Sequence, residues 1–225
     1  MASSRCGHTS CIHVIHPFSL MGADGPEVVC PLYHERRTMG SYDFGKQEVC
    51  EWIRENVPRD ESNLDVGACD GKWRKLLPEY TMDAVEAFEP NAANITDLYR
   101  YVYNDDIYNL IGMDKLKGYG LIIFGDVIEH MMVYKAKAVL GWAVKTAPRV
   151  VVGVPFLYKQ GPIYGNPWEI HIQDDLTEGV FFDRYPGFEV LYRAAEDYCY
   201  YINRPGEANG QEQSTKEERR AMTAW

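Results

Sequence analysis

No apolar run in this 225-residue chain approaches the roughly 20 residues that cross a bilayer as a helix, so no spanning helix and no membrane partner are expected. The apolar stretch near the N-terminus, "CIHVIHPF", is interrupted by His13 and His16 and does not make a secretory signal. Cysteine is sparse: six residues, at positions 6, 11, 30, 50, 69 and 199, without the dense, regular spacing of a disulfide framework. That predicts reduced thiols and a cytoplasmic chain. Basic residues are outnumbered, 23 Lys and Arg against 33 Asp and Glu, and the formal net charge of −10 repels phosphate backbones. Non-specific nucleic-acid binding is therefore not expected; "RRTMGSYDFGK" is the only modest basic stretch. Internal repeats of solenoid length are also missing.

What is present is an alternation of strands and helices. In "FGKQEVCEWIRENV", Val49, Trp52, Ile53 and Val57 share one face, the spacing of a helix that Pro58 ends. "NLDVGA" is a short apolar run closed by glycine, a buried strand, and "KWRKLLPEY" starts a helix after it. "MDAVEAFEP" reads as a second strand closed by Pro90, and "NAANITDLYRYV" as a helix with Asn91 as its N-cap. A third apolar run lies in "GYGLIIFGDVIEHM"; "YKAKAVLGWAVKTAP" is a helix and "RVVVGVPF" another buried strand. Near-continuous apolar strands separated by helices imply a parallel sheet covered on both faces. After residue 156 the rhythm changes. "FEVLYRA" and "YCYYIN" lie so close together that they can only form an antiparallel hairpin. The length suits one domain with small appendages: an extension over residues 1–43, a domain over 44–204 and a polar tail over 205–225, expected to be mobile at least to Lys216.

In a doubly wound sheet the first strand-to-helix loop faces the ligand, at the point where strand order reverses. Here that loop is "GACDG", residues 67–71. A dinucleotide loop needs Gly-x-Gly-x-x-Gly so that backbone can approach a pyrophosphate. Counting from Gly67, Cys69 and Lys72 occupy the second and third glycine positions. A P-loop needs Gly-Lys followed by a hydroxyl residue, and "GKW" supplies none. Both phosphate readings are weak, and a plain tight turn needs the glycines as well.

Asp65-Val66-Gly67-Ala68-Cys69-Asp70-Gly71 resembles the first motif of the class I S-adenosylmethionine-dependent methyltransferases, an acid followed by Gly-x-Gly-x-Gly, with Cys69 in place of the middle glycine. The resemblance implies a Rossmann-like α/β fold with a doubly wound, mostly parallel seven-stranded sheet and the C-terminal antiparallel hairpin. It implies S-adenosyl-L-methionine as cofactor, with Asp65 near the donor's ammonium and Gly67, Ala68, Cys69 and Gly71 around its amino-acid part. The ribose acid of the family falls on Glu89 at the end of the second strand, next to Pro90; Glu86, inside that strand, competes for the role. Asp106 fits the position near the adenine amino group, with Asp105 its neighbour, and Ile107 packs on the purine. "YGLIIFG" resembles the fourth motif, and the following Asp126-Val127-Ile128-Glu129-His130 resembles a run found in many small-molecule methyltransferases; Asp126 is assigned to the donor site. Gly120 departs from the pattern, since an acid often stands there.

The acceptor side falls on the segments after the fourth and fifth strands. "GNPWEIHIQDDLT" resembles a segment of methyltransferases acting on sugars and other small molecules. Trp168 offers a ring to pack an acceptor, and Glu169 and His171 offer groups that bind or deprotonate a hydroxyl. His130 and His171 are the general-base candidates. The expected acceptor is a small or sugar-containing molecule, methylated on oxygen. His130, His171, Glu129 and Asp126 are residue types that could also ligate a divalent metal, but no ligand spacing demands one, so a metal is not expected. Two other readings stay open: a catalytically silent nucleoside-binding module of the same fold, and a nucleotide-cofactor oxidoreductase, against which the failed glycine spacing counts. The cluster Cys6, His8, Cys11, His13 and His16, followed by Cys30 and His34, matches no paired zinc knuckle and reads as an extension packed over the sheet or the donor pocket. Monomer and homodimer are both compatible with the sequence.

Overall fold

The computed structural model describes residues 43–113 and 115–204. The N-terminal Cys/His cluster and the polar tail lie outside the described residues. The described residues form a seven-stranded sheet, flanked by helices α1 (Lys46–Asn56), α2 (Lys72–Leu76), α3 (Glu89–Asn94), α4 (Ile107–Ile111), α5 (Val133–Thr146) and α6 (Glu178–Arg184). The strands are β1 (Ser62–Val66), β2 (Thr81–Val85), β3 (Val102–Tyr103), β4 (Tyr119–Gly125), β5 (Arg149–Pro155), β6 (Phe188–Ala195) and β7 (Tyr198–Asn203). Their order is β3-β2-β1-β4-β5-β7-β6. The first five run parallel, and β7 is antiparallel to both β5 and β6. This is the expected doubly wound sheet with its C-terminal hairpin.

Alternation along the central strands loads both faces. Ile122 and Phe124 of β4 pack with Val139 and Leu140 of α5 and with Phe181 of α6. Leu121 and Ile123, one residue out of phase, pack with Val49 and Ile53 of α1 and with Trp73 of α2. A strand buried on both sides has no polar face, which is why β4 and β5 read as unbroken apolar runs. Strand order reverses between β1 and β4, so the loops after them splay apart and open a crevice at their carboxyl ends.

Two glycines shape the floor of that crevice. Gly125 and Gly153 are register partners across β4 and β5. A Cβ on Gly125 would lie 2.4 Å from the indole nitrogen of Trp73, and one on Gly153 would lie 2.6 Å from the ring of Tyr200. Bare backbone therefore lets Trp73 and Tyr200 close under the sheet end, where they meet edge to face.

The second strand and the helix after it differ from the sequence reading: the N-cap of α3 is Phe88 and not Asn91, and the helix ends at Asn94 instead of running through "TDLYRYV". β2 stops at Val85, and Pro90 opens α3 instead of closing the strand. Proline suits the first helical turn, where its missing N–H has no partner to lose.

Candidate active site

The crevice holds a cavity of about 450 Å³, walled by the ends of β1, β2 and β4, by residues 105–107 and by the segment around Trp168. Its first wall is the glycine loop. Gly67 (φ +71°) and Gly71 (φ +77°) take left-handed backbone, and so does Cys69 at φ +48°. Cys69 thus holds the conformation that glycine favours at this position, with the strain borne by a compact side chain. A Cβ on Gly67 would meet Val127 at 2.6 Å, so the loop lies tight against the turn after β4.

Glu86 secures the loop from the next strand. Its buried carboxylate accepts hydrogen bonds from the Cys69 N–H and the Phe88 N–H, each at 2.8 Å and each on a different oxygen. Each oxygen keeps a second lone-pair direction for a ligand. Burial raises the Glu86 pKa, and the two N–H donors oppose that rise.

Glu89 is elsewhere. It is the first residue of α3, exposed and outside the cavity lining, and Pro90 beside it is exposed as well. The structure therefore puts Glu86 at the strand end where the sequence expectation put Glu89. The α3 start explains the displacement: with proline in the first helical turn, the strand has to end several residues earlier. That signal was present in "EAFEP".

Asp65 also departs from expectation. It is 1 % exposed, and its Oδ2 accepts from the Tyr99 hydroxyl at 2.5 Å beneath the loop. It does not line the cavity, nor do Ala68 and Gly71, whose parts are to shape the loop. Burial lifts the Asp65 pKa from 3.8 to about 7, against the pull of Tyr99 and Lys46. A raised folded pKa means that between about pH 4 and pH 7 the folded chain holds a proton the unfolded chain has released. Stability therefore falls as pH rises through that window. Asp65→Asn removes this fall: it is expected to leave stability near pH 4 close to wild type and to raise it by about 2–4 kcal/mol above pH 8. Urea titrations at several pH values measure this, and parallel pH profiles for the two proteins would contradict it.

The other predicted donor-side residues do meet at the cavity. Asp106 caps α4 through the Tyr108 N–H at 3.0 Å and takes Lys135 Nζ at 3.1 Å, and Ile107 presents a buried side chain to the lining. Asp126 follows β4 in left-handed backbone (φ +59°) and lines the cavity. Its carboxylate accepts from the Tyr198 hydroxyl at 2.8 Å and pairs with buried Lys46 at 3.5 Å. Lys46, Lys135 and Tyr198 went unnoticed in the sequence, because only the folded sheet brings α1, α5 and β7 to one end.

The far wall carries the acceptor-side candidates. Trp168 and Glu169 line the cavity from the turn Pro167–Glu169, which Asn166 caps through the Trp168 N–H at 2.9 Å. Glu169 is pushed up to about 7, first by burial and then by the charges of Glu86 and Asp126. His130 lines the cavity; His171 does not, but its ring packs edge-on against His130 with centroids 4.6 Å apart. Burial and then His171 lower the His130 pKa to about 4, and burial lowers that of His171. The cavity is strongly acidic: Glu86, Asp105, Asp106, Asp126 and Glu169 line it against a single lysine, Lys135.

No family model matches the chain, and no curated protein matches it. Solved structures do. An S-adenosylmethionine-dependent methyltransferase from Clostridium acetobutylicum matches with a TM-score of 0.55 at 12 % identity, covering 73 % of this chain and 93 % of that one. The N-terminal domain of EvdMO1, solved in the presence of SAH and D-fucose, matches with a TM-score of 0.52 at 14 % identity, covering 71 % and 82 %. The pyocyanin biosynthetic protein PhzM matches with a TM-score of 0.51 at 14 % identity, covering 72 % and 55 %. The fold is that of the class I S-adenosylmethionine-dependent methyltransferases. Within this methyltransferase fold, the cavity occupies the crevice where the strand order reverses. Among the described residues no helix is long and apolar enough to cross a membrane.

Proposed function

We propose that the chain, through its domain over residues 44–204, is an S-adenosylmethionine-dependent methyltransferase acting on oxygen of a small-molecule or sugar-containing acceptor. The observation that carries this reading is the charge of the cavity. Of the five carboxylates, Asp106 pairs with Lys135 and Asp126 with Lys46, which leaves Glu86, Asp105 and Glu169 without a salt bridge among the described residues. Such a wall repels the pyrophosphate of a dinucleotide and favours a ligand carrying a sulfonium and an ammonium. The methyltransferase fold and the glycine loop support the same choice.

In this reading Glu86 accepts both ribose hydroxyls through the lone pairs its backbone donors leave. Gly67 and Cys69 lie along the amino-acid part of the donor, Asp106 and Ile107 serve the adenine, and Asp126 stands between donor and acceptor. Trp168 and Glu169 close the acceptor side, with His130 and His171 behind them. The acceptor oxygen attacks the methyl carbon in line with the C–S bond. That bond breaks with its electron pair passing to sulfur, and the acceptor hydroxyl passes its proton to Glu169 or His130, the basic groups lining that side of the cavity. Alignment of the three atoms is the protein's main contribution.

Incubation with methyl-tritiated donor and a panel of hydroxylated small molecules and sugars tests the proposal. Label is expected in an acid-stable methyl ether of at least one acceptor, and Glu86→Ala is expected to transfer none. Donor binding without transfer to any oxygen, nitrogen or carbon acceptor would favour the silent-module reading instead.

A further inference from the structure

We infer that Glu129, His130 and His171 form a binding site for one divalent transition cation at the acceptor end of the cavity. A ligand atom from each of the three lies within 4.8 Å of the other two. Glu129 is the deciding residue. It is 1 % exposed, and neither carboxylate oxygen has a hydrogen-bond partner. A buried carboxylate without partners is costly unless it is protonated or meets a cation.

The imidazoles carry the tautomer that ligation through Nε2 needs. His171 Nδ1 lies 2.7 Å from the Tyr158 carbonyl, and His130 Nδ1 lies 3.2 Å from the Ile170 carbonyl. A carbonyl only accepts, so Nδ1 carries the proton in each ring and Nε2 carries the lone pair. Metal-ligating histidines are held in this way, by a backbone carbonyl on the nitrogen that does not bind.

The two segments that carry the cluster are also fastened to each other. The Glu129 carbonyl accepts from the Ile172 and Gln173 N–H groups at 2.8 and 2.9 Å. The Gln173 side-chain amide donates to the Ile128 and Met131 carbonyls at 2.6 and 3.0 Å. Residues 128–131 and 170–173 are therefore fastened together, although the joined positions lie 42 to 45 apart in sequence.

Two imidazoles and one carboxylate suit Mn²⁺, Fe²⁺, Co²⁺ or Zn²⁺, and they leave coordination positions open. Of the three ligands, His130 lines the cavity, beside Trp168 and Glu169 on the side assigned to the acceptor. The inference that the cation orients an acceptor hydroxyl rests on the methyltransferase reading; cation binding itself does not. In this role His130 and His171 act as ligands instead of general bases.

Calorimetric titration of Mn²⁺ into the chelator-stripped full chain, without donor, tests the site. Mn²⁺ is the probe because thiolates bind it poorly, which keeps the N-terminal cysteines from competing. Wild type is expected to bind one Mn²⁺ saturably. Glu129→Gln and His171→Ala are each expected to weaken that binding at least tenfold. Glu129→Gln removes a carboxylate that has no partner, so the metal-free variant is expected to melt at or above the wild-type temperature. Mn²⁺ should raise the melting temperature of wild type and not that of Glu129→Gln. If Glu129→Gln fails to fold, His171→Ala decides. Wild type without Mn²⁺ binding, or variants that bind as wild type does, would overturn the site. A parallel titration with S-adenosylhomocysteine in chelator reports the donor pocket separately, so loss of one reading is distinguishable from loss of the other.

Discussion

Glu86→Ala is expected to weaken S-adenosylhomocysteine binding by at least about 100-fold, while Glu89→Ala leaves it unchanged. Hydrogen bonds to a charged acceptor contribute about 1.5–3 kcal/mol each, and the ribose would present two of them to Glu86. The same carboxylate holds the Cys69 and Phe88 N–H groups, so its loss also releases the glycine loop and the start of α3. Glu86→Gln separates the two effects in part. The amide keeps one acceptor oxygen and turns an NH₂ group toward a backbone N–H, so affinity is expected to fall almost as far. Calorimetry gives the dissociation constants, and circular dichroism confirms that each variant is folded. Binding by Glu86→Ala within threefold of wild type would remove Glu86 from the ribose site. Loss of binding in Glu89→Ala would restore the original sequence assignment.

The second large effect belongs to the ion pair under the cavity. Lys46 and Asp126 are both buried, and α1 brings the lysine across eighty positions of sequence to reach the end of β4. Lys46 Nζ also lies 5.2 Å from the centre of the Trp73 ring. Removing one partner leaves the other charge buried, at a cost of about 3–5 kcal/mol. Lys46→Met is therefore expected to destabilise the chain by about 3 kcal/mol, a fall of roughly 6–12 °C in Tm. Asp126→Asn is expected to cost less, about 1–3 kcal/mol, since it removes the charge from the carboxylate that Lys46 Nζ and the Tyr198 hydroxyl meet. The double variant Lys46→Met with Asp126→Asn is expected to recover about half of the Lys46→Met loss, because the carboxylate charge that this variant leaves buried is then gone. A strictly additive double variant in urea titrations would show that the pair is not coupled.

The fold was largely legible because its strands are buried on both faces. "LIIF" and "RVVVGVPF" carry no polar alternation, and only a sheet covered by helices on both sides asks for that. The hairpin followed from a connection too short for anything else. The site was less legible, for two physical reasons. The first is local punctuation: Pro90 reads equally as the end of a strand or the opening of a helix, and the strand reading shifts the strand-end acid from Glu86 to Glu89. The second is long-range assembly. Asp65 sits in the expected motif, yet Tyr99, thirty-four positions later, covers it. Lys46 and Tyr198 approach Asp126 from opposite ends of the domain, and no spacing rule joins them. Glu129 and His171 were each visible as residues near the acceptor. Their mutual approach depends on hydrogen bonds between two loops, which sequence spacing does not show.

The central claim is that the acidic cavity takes a sulfonium nucleoside and not a pyrophosphate. Side-by-side calorimetric titration of wild type with S-adenosylmethionine, S-adenosylhomocysteine and NAD tests it most directly. One-to-one, micromolar binding of the first two and no heat from NAD are expected, with both signals lost in Glu86→Ala. Silence from both sulfur nucleosides, or displacement of either by NAD, would contradict it.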